Sequence, residues 1–159
     1  MKKITPFLWF KDDAEEAMAF YTSLFEGSKV VSITKLAENI PPQGKALVGT
    51  FELMGQEYMC INGGENPMLA QAGAISLVVP CDTQEEIDKL WAAFSEGGKP
   101  IQCGWITDKF GITWQITPSM MGELMDAKGD PARAARVGAA MMQMVKLDIA
   151  ALKAAAEAK

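Results

Sequence analysis

The sequence predicts an α+β chain built from two consecutive βαβββ modules and a C-terminal helical tail. Three observations predict this. A β-branched and aromatic segment is followed by a capped amphipathic helix and then by further short β-type segments, and the same order begins again near residue 74. Such recurrence is the mark of a duplicated module. After Pro118 the strand signals give way to sequence rich in alanine and methionine.

Ile4 to Phe10 suits a first strand, with Pro6 placing its start at an edge or leaving it unpaired. Asp12 or Asp13 can cap the helix that follows, with Glu15 and Glu16 in its first turn, and Ala17, Tyr21 and Leu24 with Met18 and Phe25 make its apolar stripe up to Gly27. Lys29 to Leu36 reads as the second strand and Pro41 to Gly44 as a loop. Ala46 to Leu53 and Gln56 to Ile61 read as a hairpin turning at Met54-Gly55.

The second module opens with a strand from Ala74 to Val79. Thr83 and Glu86 form a capping box before a helix whose Ile87, Leu90, Trp91 and Phe94 share one face, ending at Gly97-Gly98. Ile101 to Cys103, Trp105 to Thr107 and Ile112 to Thr117 are its remaining strands, the last two joined by a turn at Asp108 to Gly111. In the tail, Met120 to Met125 makes a short apolar turn. Asp130-Pro131 starts one helix and Asp148 caps another running through Leu152 to Ala158. The organisation expected is one domain, with modules at 3–66 and 72–118 and the tail at 119–159. Met141, Met142 and Met144 are expected at an intersubunit or interdomain contact.

With 159 residues, 49% of them hydrophobic and 22% charged, the chain can bury a sizeable core, which excludes disordered and disulfide-scaffold classes. Fifteen basic against twenty acidic residues give a net charge of −5, the wrong sign for a nucleic-acid surface. No histidine is present. That removes imidazole bases, imidazole metal ligands and the Ser-His-Asp and Cys-His nucleophiles. Cys60, Cys81 and Cys103 lack metal-knuckle spacing and read as reduced thiols. Met1-Lys2-Lys3 is followed by too short an apolar run for a signal sequence, and no segment reaches the ~20 apolar residues of a membrane span. A cytoplasmic protein without membrane or nucleic-acid partners is expected.

Ile4 to Phe10, Phe20-Tyr21, Asn62-Gly63-Gly64, Ala74-Ile75-Ser76, Gln102 to Trp105 and Asp108 to Ile116 together resemble the PhnB-like family. That family belongs to the vicinal oxygen chelate superfamily of glyoxalases, ring-cleaving dioxygenases and bleomycin-resistance proteins. The resemblance spans roughly residues 3 to 155. It implies a glyoxalase/bleomycin-resistance-like fold with curved sheets around a cavity, commonly as a homodimer. It also implies a divalent metal in many members, at positions corresponding here to Thr5, Met59 or its near neighbour Asn62, Ala74 and Gln115. These are not the usual histidines and glutamates, so no metal is expected. Some members carry the name of a demethylubiquinone methyltransferase. No Gly-x-Gly turn occurs in the sequence, so neither a nucleotide-type cofactor nor methyl transfer is expected.

Period-2 alternation places Thr5, Phe7 and Trp9, then Ser76 and Val78, then Thr113, Gln115 and Thr117 on inward faces, with Glu57 and Met59 at the matching places in the first module. This lining is aromatic with neutral hydrogen-bonding groups and suits a small aromatic or amphipathic ligand, the alternative being a filled core. Glu57 is the candidate general base, or else an exposed strand carboxylate. Cys103 is a candidate nucleophile, or else a packed thiol. Asn62, at the start of Asn62-Gly63-Gly64, is a candidate ligand contact at a rim, or part of a linker. Trp105 is a candidate for stacking on a ligand, with packing beneath the helix as the alternative for it and for Trp114. Asp108 and Lys109 read as a solvated turn pair. The functions weighed are a ligand-sequestering protein, a lyase or isomerase using Glu57 or a weakly held metal, and an interaction protein with a filled cavity.

Overall fold

In the computed structural model, residues 5–36, 42, 44–65, 75–126, 128 and 130–158 are described. Ile4, Ala74 and part of the Pro41 to Gly44 loop lie outside them. The chain divides into two compact units, Met1–Gln71 and Ala72–Lys159. The first contains β1 (Phe7–Phe10), α1 (Ala14–Leu24), β2 (Lys29–Lys35), β3 (Leu47–Leu53) and β4 (Gln56–Asn62). The second contains β5 (Leu77–Cys81), α2 (Gln84–Ser95), β6 (Lys99–Pro100), β7 (Trp105–Thr107) and β8 (Thr113–Pro118), then α3 (Met121–Leu124), α4 (Pro131–Met141) and α5 (Ile149–Glu157).

Each unit holds one four-stranded mixed sheet, ordered β1-β4-β3-β2 in the first and β5-β8-β7-β6 in the second. The expected βαβββ order therefore occurs twice. In both sheets the first and last strands pair in parallel, Phe7 beside Met59 and Val78 beside Gln115. A parallel pair needs a crossover, and the module's helix supplies it on one face.

In the first unit Ala17, Met18 and Tyr21 of α1 are buried against a sheet face containing Phe51 and Cys60. Tyr21, Phe51 and Tyr58 stack in sequence, with centroids 6.2 and 5.3 Å apart. Gly49 makes room for Met18: a Cβ there would lie 2.6 Å from the Met18 sulfur and 2.8 Å from that of Cys60. In the second unit Ile87, Leu90 and Phe94 of α2 are buried, and Phe94 stacks on Trp114 at 4.7 Å. The Thr83-Glu86 capping box forms as read from the sequence.

Three local expectations are corrected. The strand expected at Ile101 to Cys103 lies instead at Lys99–Pro100, and Cys103 occupies a turn with φ of +62°. Asp13 is the N-cap residue of α1, yet its side chain makes no cap bond. The Ala14 N–H instead donates to Asn62 Oδ1 at 2.8 Å, and Asn62 Nδ2 donates to the Lys45 carbonyl at 3.0 Å. Asp108 is not solvated: it is 5% exposed, and its carboxylate accepts from the Phe110 and Ile112 amides and from Trp114 Nε1.

The tail docks on its own unit. Cys103 and Gly104 donate their amides to the Met144 and Val145 carbonyls, both at 2.8 Å. Gln84 of α2 donates to the Leu147 carbonyl and accepts from the Ile149 amide, while Lys146 pairs with Asp88. Val137, Leu147 and Leu152 form a small core flanked by Met141 and Met144, which accounts for two of the three methionines; Met142 is exposed. Arg136 donates to the Ala155 and Ala156 carbonyls near the end of α5, where free carbonyls favour a cation.

Asn62→Ala removes an acceptor and a donor from a buried site, so urea denaturation is expected to show a loss of about 1–3 kcal/mol. Asn62→Asp keeps the acceptor for Ala14 and is expected to lose less. Equal losses in the two variants would contradict the capping role.

Candidate functional site

Because α1 covers one face of the first sheet, the other face is left to residues of opposite parity. The strand registers arrange that open face as a grid. One row across β2, β3 and β4 is Lys29, Glu52 and Glu57, and Thr5 Oγ1 donates to Glu57 Oε1 at 3.5 Å. The next row is Ser32, Thr50, Met59 and Phe7, and the third is Thr34, Val48, Ile61 and Trp9. Rows two residues apart are about 7 Å apart. The face thus runs from a charged end to an apolar, aromatic end. Phe7 is 51% and Trp9 37% exposed, high values for large apolar rings on a strand.

The open face of the second sheet carries Val78, Gln115 and Trp105 in one row, and Gln115 Nε2 donates to Ser76 Oγ at 2.8 Å. Thr107 and Thr113 share a hydroxyl hydrogen bond of 3.3 Å. Trp105 therefore lies on the open face and not beneath α2, where Trp114 packs. Thr5, Phe7, Trp9 and Glu57 share the open face of the first unit; Ser76, Trp105, Thr113 and Gln115 share that of the second.

Two candidates lie elsewhere. Asn62 is 2% exposed on the helix-covered side, with its amide engaged by α1 and Lys45. Cys103 is half-buried against the tail, its sulfur 3.6 Å from the Met141 carbonyl and 3.6 Å from the Met142 sulfur. A polar cleft of about 160 Å³ near the start of α1 is lined by Asp12, Glu15, Lys35, Lys45 and Asn62 among others. Lys45 pairs with Asp12 there and holds the Asp12 carboxyl below its ordinary range.

The donor set does not fit a divalent transition metal. Thr5 offers a hydroxyl already bonded to Glu57, Met59 a thioether, and Gln115 an amide bonded to Ser76, whereas such ions take imidazole, thiolate or several carboxylates. Ala74 lies outside the described residues. Among the described residues no three His, Cys, Asp or Glu cluster to hold a metal. The β1–α1 connection is Lys11-Asp12-Asp13 and lacks the glycine-rich turn that lets a nucleoside-type cofactor approach the backbone.

A sequence-family profile described as 3-demethylubiquinone-9 3-methyltransferase matches residues 2–117. The chain belongs to this PhnB-like family. A PhnB protein from Bacillus cereus that carries the same description is 41% identical, covers 74% of this chain and 99% of its own, and superposes with a TM-score of 0.68. Two more distant structures show the same fold. Protein PA1353 from Pseudomonas aeruginosa is 19% identical with a TM-score of 0.57, covering 74% of this chain and 98% of its own. The fosfomycin resistance protein FosX from Listeria monocytogenes is 11% identical with a TM-score of 0.55, covering 77% and 94%. The PhnB-like chain thus has a glyoxalase/bleomycin-resistance-type fold. No functionally curated protein matches it. No helix among the described residues is long and apolar enough to cross a membrane.

The three thiols differ in environment. Burial pushes the Cys60 and Cys81 thiols up to about 11, with Glu86 and Asp82 adding to the effect at Cys81. Cys103 is the least buried. A thiol reagent at pH 8 is therefore expected to label Cys103 first, with the fast phase lost in Cys103→Ser. A raised thiol pKa favours the folded state while the thiol is protonated, and this advantage is lost as the pH rises through the folded value. Urea midpoints are expected to fall between about pH 9 and about pH 11, and less steeply in Cys60→Ala and Cys81→Ala.

Proposed function

We propose that this PhnB-like protein binds a small planar compound, aromatic or amphipathic, on its open sheet faces without a transition metal held by side chains. The observation that carries this reading is the graded face of the first sheet, where Phe7 and Trp9 stay exposed on the side opposite the buried Phe10, Phe51 and Cys60. Convergent polar groups beside an apolar surface are the usual make-up of a ligand site. The aromatic end would take a ring. The Glu52 and Glu57 end, about two rows away, would take a polar or cationic group. The single-domain organisation, a cytoplasmic location and a homodimer belong to the same reading; the dimer is checked by sedimentation.

A second reading is a lyase or isomerase in which Glu57 moves a proton. It is favoured by the position of Glu57, exposed on the same face as the aromatic rings and next to the Thr5 hydroxyl. Methyl transfer, named in the family description, gains no support from the β1–α1 connection.

Thermal-shift titration against planar aromatic metabolites and antibiotics, with and without manganese, magnesium and zinc ions, tests the proposal. The melting temperature is expected to rise with ligand whatever the ion, and Trp9→Ala to weaken binding about tenfold or more. Glu57→Gln is expected to retain binding of neutral planar ligands and to weaken binding of cationic ones. Stabilisation that needs the ion, together with turnover lost in Glu57→Gln, would support the enzyme reading instead. No response from any ligand would overturn both.

A further inference from the structure

We infer that Gly63 and Gly64 are positioning residues that seat the Trp9 indole as a fixed stacking face for a flat aromatic group of the ligand. This deepens the binding reading above and rests on it. After Phe10 and Asn62 the parallel pairing continues: the Gly63 amide donates to the Phe10 carbonyl at 3.0 Å and the Gly64 amide to the Lys11 carbonyl at 2.9 Å. The glycine pair is thereby held beside the end of β1. Gly63 follows Ile61 at the same parity, on the face that carries Trp9.

The indole lies directly on the Gly63 backbone. A Cβ at Gly63 would land on ring atom Cζ2, 2.5 Å from Cε2 and 2.6 Å from Cη2. These are atoms of a rigid bicycle, so the ring must leave if any side chain is placed there. Gly64 completes the seat. Its φ of +78° is a left-handed conformation suited to glycine, and its carbonyl accepts from Trp9 Nε1 at 2.9 Å. Ring packing on one residue and the N–H bond on the next together fix both side-chain torsions of Trp9.

Two consequences follow for the ligand. The indole N–H is occupied, so Trp9 recognises a partner through its π face and not by donating a hydrogen bond. A ring already immobilised loses little further freedom on binding, which favours rigid planar ligands over flexible aliphatic ones.

Gly63→Ala tests the seat, since no positive φ at Gly63 opposes alanine. In the ligand-free protein, the near-ultraviolet dichroism due to Trp9, obtained by subtracting the Trp9→Ala spectrum, is expected to collapse in Gly63→Ala while the far-ultraviolet spectrum is unchanged. The alanine is also expected to lower the melting temperature in the parent chain and to have little effect in the Trp9→Ala background, the non-additivity of residues in contact. Titration at pH 8 with acridine, a rigid planar probe that is uncharged there, is expected to show about tenfold weaker binding in Gly63→Ala. An unchanged Trp9 signal, or the same melting shift in both backgrounds, would overturn the seat. Failure of the parent protein to bind the planar probe would overturn the stacking role, while the dichroism and melting measurements decide the seat independently.

Discussion

The parallel pairing of first and last strand in each module is the constraint on which the rest of this structure depends. Two parallel neighbours cannot be joined by a tight turn, so the chain must cross over and return, and a helix packed on one face is the compact way to do so. Once α1 and α2 are committed to one side, the strand residues of the other parity share a face on which the module's own helix does not lie. The aromatic and hydroxyl residues collected there follow from the connectivity.

The same crossover geometry explains two buried polar side chains, Asn62 and Asp108. Asn62 ends the last strand of the first unit, beside the first strand and therefore beside the start of α1, where an orphan amide needs an acceptor. Asp108 precedes the last strand of the second unit and gathers two turn amides and the Trp114 ring N–H. Each satisfies several donors at once, which is how a polar group becomes tolerable in a packed interior. Both are buried and so out of reach of a ligand on the open faces.

Much of this was legible in the sequence, and the exceptions share one cause. Helix period, the Thr83-Glu86 box, strand alternation and the modular recurrence are local signals, and they placed nearly all elements and both open faces. Errors fell where a distant partner decides the outcome. Ile101 to Cys103 has strand-like composition, but the amides of Cys103 and Gly104 are claimed by the tail, which bends this stretch into a turn. Asp108 looks like an ordinary turn residue because nothing local discloses the ring N–H of Trp114. The Asn62-Gly63-Gly64 segment reads from the sequence either as a rim where glycine lets a ligand approach or as part of a linker. The glycine does permit a close approach, and the approaching group is Trp9 of the same chain. Only the parallel register between β1 and β4 brings those residues together.

The family profile stops at residue 117, just before the tail. Beyond that point the chain lends two carbonyls to the amides of Cys103 and Gly104 and fits the Leu147 side chain against Gly104, where a Cβ would lie 3.1 Å from the leucine Cγ. The tail is in effect a splint laid across the β6–β7 corner. A relative built without such a segment must leave that pair of N–H groups to water or find them another acceptor, so the conformation of this corner should diverge among homologues even where the strands on either side do not.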